Sequence, residues 1–164
     1  MWQYTGSERP PFAEEPAAGQ ESVWDYPRPP RVEPERRIVR IVLGGVTIAT
    51  SDRALRVLET SHPPGIYLPP EAFIERSFRP NPHRTVCEWK GHAEYWDLCG
   101  GEATRVAAAW SYPEPRPGFE AIEGYLSTYP GRVDACYLGD ELVRPQEGSF
   151  YGGWITDEIV GPFK

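Results

Sequence analysis

No apolar run in the 164 residues approaches the roughly 20 that a membrane-spanning helix needs. The opening MWQYTGSERPPFAEEP also lacks the basic and apolar regions of a secretory signal. Both absences lead us to expect a cytoplasmic protein. Cysteine is sparse: Cys87, Cys99 and Cys136 are odd in number and scattered, which argues against a disulfide framework and suits reduced thiols. No pair of cysteines is spaced two to four apart, and the only close ligand types are Cys87 and His92, so structural zinc is disfavoured and no cofactor is predicted. Basic charge is also short. The net charge is -7, and it is uneven: residues 1 to 35 hold three Arg against seven Asp or Glu, and the remainder hold fourteen Lys or Arg against seventeen acids. Neither part has the basic stripe that nucleic acid or an anionic membrane demands, so both are excluded as expected partners. Phosphate-binding glycine loops, the G-x-S-x-G nucleophile turn and the kinase motifs are missing as well.

What is present suits one domain with a real core. Residues 1–35 are rich in Pro, Glu and small side chains, which bury too little apolar surface to offset chain entropy, and read as an extended arm. Within it VWDYPRPP, residues 23–30, sets Trp24 and Tyr26 on a stiff proline-rich segment, which predicts a strap laid on the body. Residues 36–164 read as a single β body. RIVRIVL, a Gly44-Gly45 turn and VTIAT form a hairpin, since the glycine pair supplies the positive φ a tight turn requires. ALRVLET and IYLP read as strands, and PPEAFIER opens as a short helix should. RTVCEWKGHAEYWDL reads as one long strand bulged at Gly91, paired with ATRVAAAWSY. A loop with one helical turn, the strand YLSTYP, the hairpin VDACYLGDELV and an aromatic, Gly-rich tail complete the chain. Strand follows strand through turns, so the predicted class is mainly β and antiparallel, with one or two short helices.

The run TVCEWKGHAEYW carries the densest chemistry. Read as an unbroken strand it puts Thr85, Cys87 and Trp89 on one face, which assigns Cys87 to packing and not to nucleophilic or metal chemistry. Lys90, beside a tryptophan and a glycine at the rim of an aromatic surface, is suited to hold an anionic group; the competing reading is a solvated surface lysine. Arg53, Arg56 and Glu59 form a second polar set that surface ion pairs would also explain. Prolines flanking Tyr67 in HPPGIYLPP fix a phenol edge with little entropy left to lose, and His62 there reads as a loop histidine. A paired-carboxylate site among Glu59, Glu71, Glu88, Glu94 and Asp97 stays open. Tyr67, Trp89, Tyr95, Trp96, Trp110, Tyr112, Tyr129, Tyr151 and Trp154 make an aromatic load that either lines a small-molecule cleft in part or packs core and tail.

RIVRIVLGGVTIATSDRALRVLETSHPPGIYLPP, TVCEWKGHAEYW, AAWSYPEP and GSFYGGWITDEIVGPFK together resemble the bacterial and fungal domain-of-unknown-function family four-two-seven, also labelled nucleotidyltransferase-like. The resemblance runs from about Val23 to the last residue. It implies a compact, β-tent-like pair of antiparallel sheets with a cleft between them and brings no reaction. Cys87-Glu88-Trp89-Lys90-Gly91 stands where the family has CPWKG or CPYKG, so Glu88 replaces a proline. Position by position, the resemblance implies Arg53, Arg56, Glu59, Tyr67, Trp89, Lys90, Tyr95, Trp110, Tyr112 and Trp154 as ligand-binding candidates. The expectation is a small-molecule-binding β domain for a polar or anionic ligand. The alternatives are an enzyme with Glu59 as acid or base and Lys90 stabilising negative charge, or a protein-interaction module or homodimer using the aromatic tail.

Overall fold

A computed structural model describes residues 1–164. In chain order the strands are β1 (Glu21–Ser22), β2 (Arg31–Pro34), β3 (Val39–Leu43), β4 (Val46–Ser51), β5 (Leu55–Leu58), β6 (Gly65–Leu68), β7 (Phe78–Cys87) and β8 (Gly91–Gly100). They continue as β9 (Ala103–Ser111), β10 (Leu126–Thr128), β11 (Ala135–Leu138), β12 (Glu141–Leu142), β13 (Arg144–Pro145), β14 (Trp154–Ile155) and β15 (Ile159–Val160). Helix is limited to four single 3₁₀ turns, at Val23–Asp25, Pro70–Ala72, Glu120–Ile122 and Pro130–Arg132. The fold is mainly β, as the turn-punctuated sequence requires. No helix is long and apolar enough to cross a membrane.

Two larger sheets carry the fold. The first has seven strands in the order β2-β5-β6-β10-β9-β8-β7, and the second has four in the order β12-β11-β3-β4; every pairing in both is antiparallel. Period-two alternation decides what lies between them. Val39, Ile41 and Leu43 of β3 meet Ile66 and Leu68 of β6, Leu98 of β8 and Leu126 of β10 in a dry core that also holds Trp154. The opposite face of the large sheet carries a second cluster built on Val57, Tyr67, Ala93, Tyr95, Tyr112 and Ile122. Tyr67 therefore points away from the side that Ile66 and Leu68 serve. The large sheet is covered on both faces.

The proline-rich segment lies on this frame. Val23 and Tyr26 are buried against Leu58 and Ile159, and β1 pairs in parallel with β15. Trp24 Nε1 donates to Pro162 O at 3.0 Å. Arg56 Nη1 and Nη2 donate to the two carboxylate oxygens of Glu21 at 2.8 and 2.9 Å, and Arg56 Nε donates to Glu33 at 2.8 Å. Residues 31–34, assigned to the arm on composition, form the edge strand β2, paired from Arg31 to Pro34 with Leu58 to Leu55.

The run around Lys90 differs from the sequence expectation. It is two strands and a turn: β7 ends at Cys87, Glu88-Trp89-Lys90 reverse the chain, and β8 starts at Gly91, whose φ of 110° is the positive backbone angle that glycine tolerates. Gly91 thus serves the turn, not a bulge. Trp89 and Lys90 lie outside the pleat, so a period-two argument pairing Cys87 with Trp89 on one face does not apply.

Candidate functional site

The aromatic face of the large sheet encloses a cavity of about 290 Å3. It lies on the side of the sheet away from the dry core, so the expected cleft between the two sheets is not where the space is. Its floor comes from the strands. Tyr67 of β6, Tyr95 of β8 and Trp110 of β9 project from the same face, joined by Tyr112 just beyond β9. Trp110 and Tyr67 meet edge to face with centroids 6.3 Å apart, and Trp110 Nε1 donates to Tyr67 Oη at 3.3 Å. Tyr95 Oη and Thr85 Oγ1 share a hydrogen bond of 3.0 Å across the hairpin. Burial pushes the phenols of Tyr67, Tyr112 and Tyr129 up, so all three remain protonated and neutral at physiological pH.

One wall is the β7–β8 turn. The 113–118 loop braces it: Arg116 N donates to Lys90 O at 3.0 Å, and the Arg116 guanidinium donates to Glu88 O. Lys90 is half-buried and lines the cavity, with Nζ 5.7 Å from the centre of the Tyr112 ring. That ammonium makes no ion pair, and its side-chain hydrogen-bonding neighbour is Cys87. Burial works against its charge, but the neighbouring Tyr67, Cys87 and Glu59 outweigh burial and raise its pKa above the ordinary lysine value, so it is a cation at neutral pH. Trp89 lines the same wall, and its buried indole N–H has no acceptor in the protein.

Glu59 and His62, from the segment that joins β5 to β6, line the cavity as well. Glu59 Oε2 lies 3.5 Å from Arg28 Nε and 4.0 Å from His62 Nδ1. His62 Nδ1 lies 2.9 Å from Thr60 O, and its ring stacks edge to face on Tyr151 at 5.2 Å. Both ends of the chain complete the rim. Trp2 comes from the arm, stacked under the Arg28 guanidinium at 4.1 Å, and Phe150 to Gly153 come from the tail. A Cβ on Gly152 would stand 2.4 Å from Trp110 Cη2, so only a glycine lets the tail backbone lie this close to the indole. Gln146, buried, ties the tail together by accepting from Gly153 N and donating to Lys164 O.

Of the ten candidates, Glu59, Tyr67, Trp89, Lys90, Tyr95, Trp110 and Tyr112 line this cavity. Three do not. Arg53 is exposed and faces Glu71 at 3.4 Å, which makes it a surface ion pair. Arg56 is consumed by Glu21 and Glu33 in fastening the arm. Trp154 is a core residue whose indole donates to Thr128 O at 3.0 Å. Cys87 joins the cavity lining despite its assignment to packing, because the turn begins immediately after it. Trp2, His62 and Gln146 are further lining residues that the sequence did not single out as ligands, and Tyr151, from the aromatic load, joins them. They converge from three separate stretches of the chain, around residues 2, 62 and 146–151, and no local spacing signals such a meeting.

The family model described as Domain of unknown function (DUF427), labelled NTP_transf_9, matches residues 31–139. No curated protein matches the chain. The label's nucleotidyl-transfer chemistry calls for carboxylates gathered to hold a divalent cation beside phosphates. The residues present do not fit that group: Glu59 and Glu88 are the cavity's only side-chain carboxylates, Glu59 is engaged by Arg28, and nowhere do three or more His, Cys, Asp or Glu side chains converge.

Proposed function

The chain belongs to the DUF427 family, and we propose that its cavity binds a small, flat organic anion, with Lys90 holding the charged group and the aromatic floor taking the body. The observation that carries this reading is the Lys90 ammonium, set among tyrosines and left without a carboxylate partner. A half-buried cation costs desolvation free energy that a ligand carboxylate or phosphate offsets through charge-assisted hydrogen bonds. Two neutral donors support the same polarity. The Tyr67 oxygen accepts from Trp110, which leaves its own proton to be given, and the Trp89 indole N–H is unpartnered. A volume of about 290 Å3 sits at the lower end for small-molecule sites, roughly 300–1,000 Å3, and favours a ligand of one ring and a short polar arm. The three free cysteines support a cytoplasmic setting.

Thermal melting against small aromatic carboxylates and their uncharged amides tests the reading. A ligand at about 100 times its Kd adds roughly 2.7 kcal/mol of stability. The acids are expected to raise the melting temperature, the amides to do so far less, and Lys90→Met to abolish the difference. Equal shifts by acids and amides would remove the anion from the account. An interaction module built on the tail draws less support, since Trp154 is consumed in the core and Tyr151 packs on His62.

A further inference from the structure

We infer, building on the reading that the cavity binds a small organic anion, that the site also moves a proton: His62 acts as the base, and Lys90 and Tyr67 stabilise the oxygen that gains negative charge. Three features of the geometry point there. First, His62 Nδ1 lies 2.9 Å from the carbonyl oxygen of Thr60. A carbonyl only accepts, so Nδ1 carries the hydrogen and the lone pair resides on Nε2. Second, Nε2 makes no hydrogen bond to the protein, and the ring lines the cavity. Third, the ring cannot swing freely, because the Thr60 bond fixes one edge and Tyr151 packs against its face at 5.2 Å. Glu59, the carboxylate that the sequence offers as acid or base, is engaged by Arg28 at 3.5 Å.

The charge state agrees with the geometry. Burial holds the His62 imidazole below its ordinary pKa. Glu59 opposes that shift, and Lys164 from the tail and Arg28 from the arm reinforce it, while the Tyr151 ring packs against the imidazole. The unprotonated form is therefore the resident one at neutral pH.

The chemistry that this set performs without any co-reactant is enolisation of a carbonyl acid. Nε2 takes a proton from the carbon beside the carbonyl, and the C–H bonding pair moves to form the carbon–carbon double bond as the carbonyl pair shifts to oxygen. Lys90 and the Tyr67 hydroxyl stabilise that enolate oxygen. The Nε2 proton then goes to the oxygen, giving the enol, or back to the carbon. No electron is gained or lost, and nothing leaves.

Phenylpyruvate and benzoylformate separate the proton-transfer claim from the binding claim, since both are flat aromatic 2-oxo acids but only the first has an exchangeable C–H beside the carbonyl. Exchange of the C3 hydrogens of phenylpyruvate for deuterium is followed by proton NMR in D2O, and binding of both acids by saturation transfer. The full chain is expected to accelerate exchange. His62→Asn, whose amide can keep the bond to Thr60 O, is expected to lose about 100-fold of that rate while still binding benzoylformate. The wild-type rate is expected to rise with pH and level off below the pH at which free imidazole does. Should His62→Asn lose its cooperative melt, His62→Gln takes its place. If both acids bind and depend on Lys90, but wild type exchanges no faster than buffer or no faster than the His62 variant, the base assignment is wrong and the binding reading survives. If neither acid binds, both are wrong.

Discussion

Lys90 and Tyr67 are the side chains on which the account depends, and they make separable predictions. Lys90→Met keeps the apolar stem and deletes the charge. Losing one charge-assisted hydrogen bond of about 1.5–3 kcal/mol lowers affinity for a small aromatic carboxylate about 10- to 100-fold, with little change in folding stability. Isothermal calorimetry on the two proteins measures it. Tyr67→Phe strands the Trp110 indole N–H, which donates to the Tyr67 oxygen at 3.3 Å beneath the cavity. That change is expected to cost about 1–2 kcal/mol of stability in urea unfolding and to weaken binding as well. The two variants therefore part company: one touches binding alone, the other binding and stability. Lys90 and Tyr67 were legible from sequence because their neighbours were informative, a glycine and a tryptophan in one case and flanking prolines in the other. Arg56 carried the same kind of signal but is committed to Glu21 and Glu33. A guanidinium announces that it will pair without saying with whom.

At the scale of the element, the β7–β8 turn sets where Lys90 and Trp89 stand. Gly91→Ala probes it cleanly, because an added Cβ would meet Arg116 Cγ and Glu114 O at 3.5 Å, an ordinary contact, while the φ of 110° is one that alanine rarely adopts. A cost of about 1–3 kcal/mol from backbone strain is expected in urea unfolding, with weakened ligand binding as the turn relaxes. Reading this run as a single bulged strand failed for a definable reason. Both a bulge and a turn use a glycine at positive φ, and alternation on either side of Glu88-Trp89-Lys90 continues without a break in hydrophobicity. The Gly44-Gly45 hairpin was readable because its two strands alternate around an unmistakable glycine pair. The arm makes a second element-scale prediction. Glu21 accepts from Arg56, and this bond, offset in part by burial and aided by Tyr26, Arg56 and Arg37, holds its carboxyl below the usual range. A carboxylate lowered in the fold contributes stability above its unfolded pKa and loses it as pH falls through the folded value. Arg56→Met is therefore expected to flatten the acid limb of the melting curve from the ordinary carboxylate range downward, and to loosen β1 and β2, as hydrogen exchange would show.

For the whole molecule, the seven-stranded sheet has one face on a dry core and the other on an aromatic cavity, and both chain ends contribute to the rim of that cavity. The mainly β, antiparallel class followed from period-two patterning and turn chemistry. The cavity did not, because its completion depends on Trp2, His62, Gln146 and Tyr151 arriving from distant segments, and composition treats the first of these as tail. The placement of Trp154 shows the converse: an aromatic in a Gly-rich tail reads as a cleft candidate, yet its indole sits in the core with Thr128 O as its acceptor. The central claim is that this cavity is a site for a small organic anion held by Lys90. Calorimetric titration with benzoylformate, run beside its methyl ester and repeated on Lys90→Met, tests it most directly. The account predicts one bound acid per chain, weak or no binding of the uncharged ester, and loss of the acid's advantage in the variant. Acid and ester binding alike, or acid binding undiminished in Lys90→Met, would contradict it.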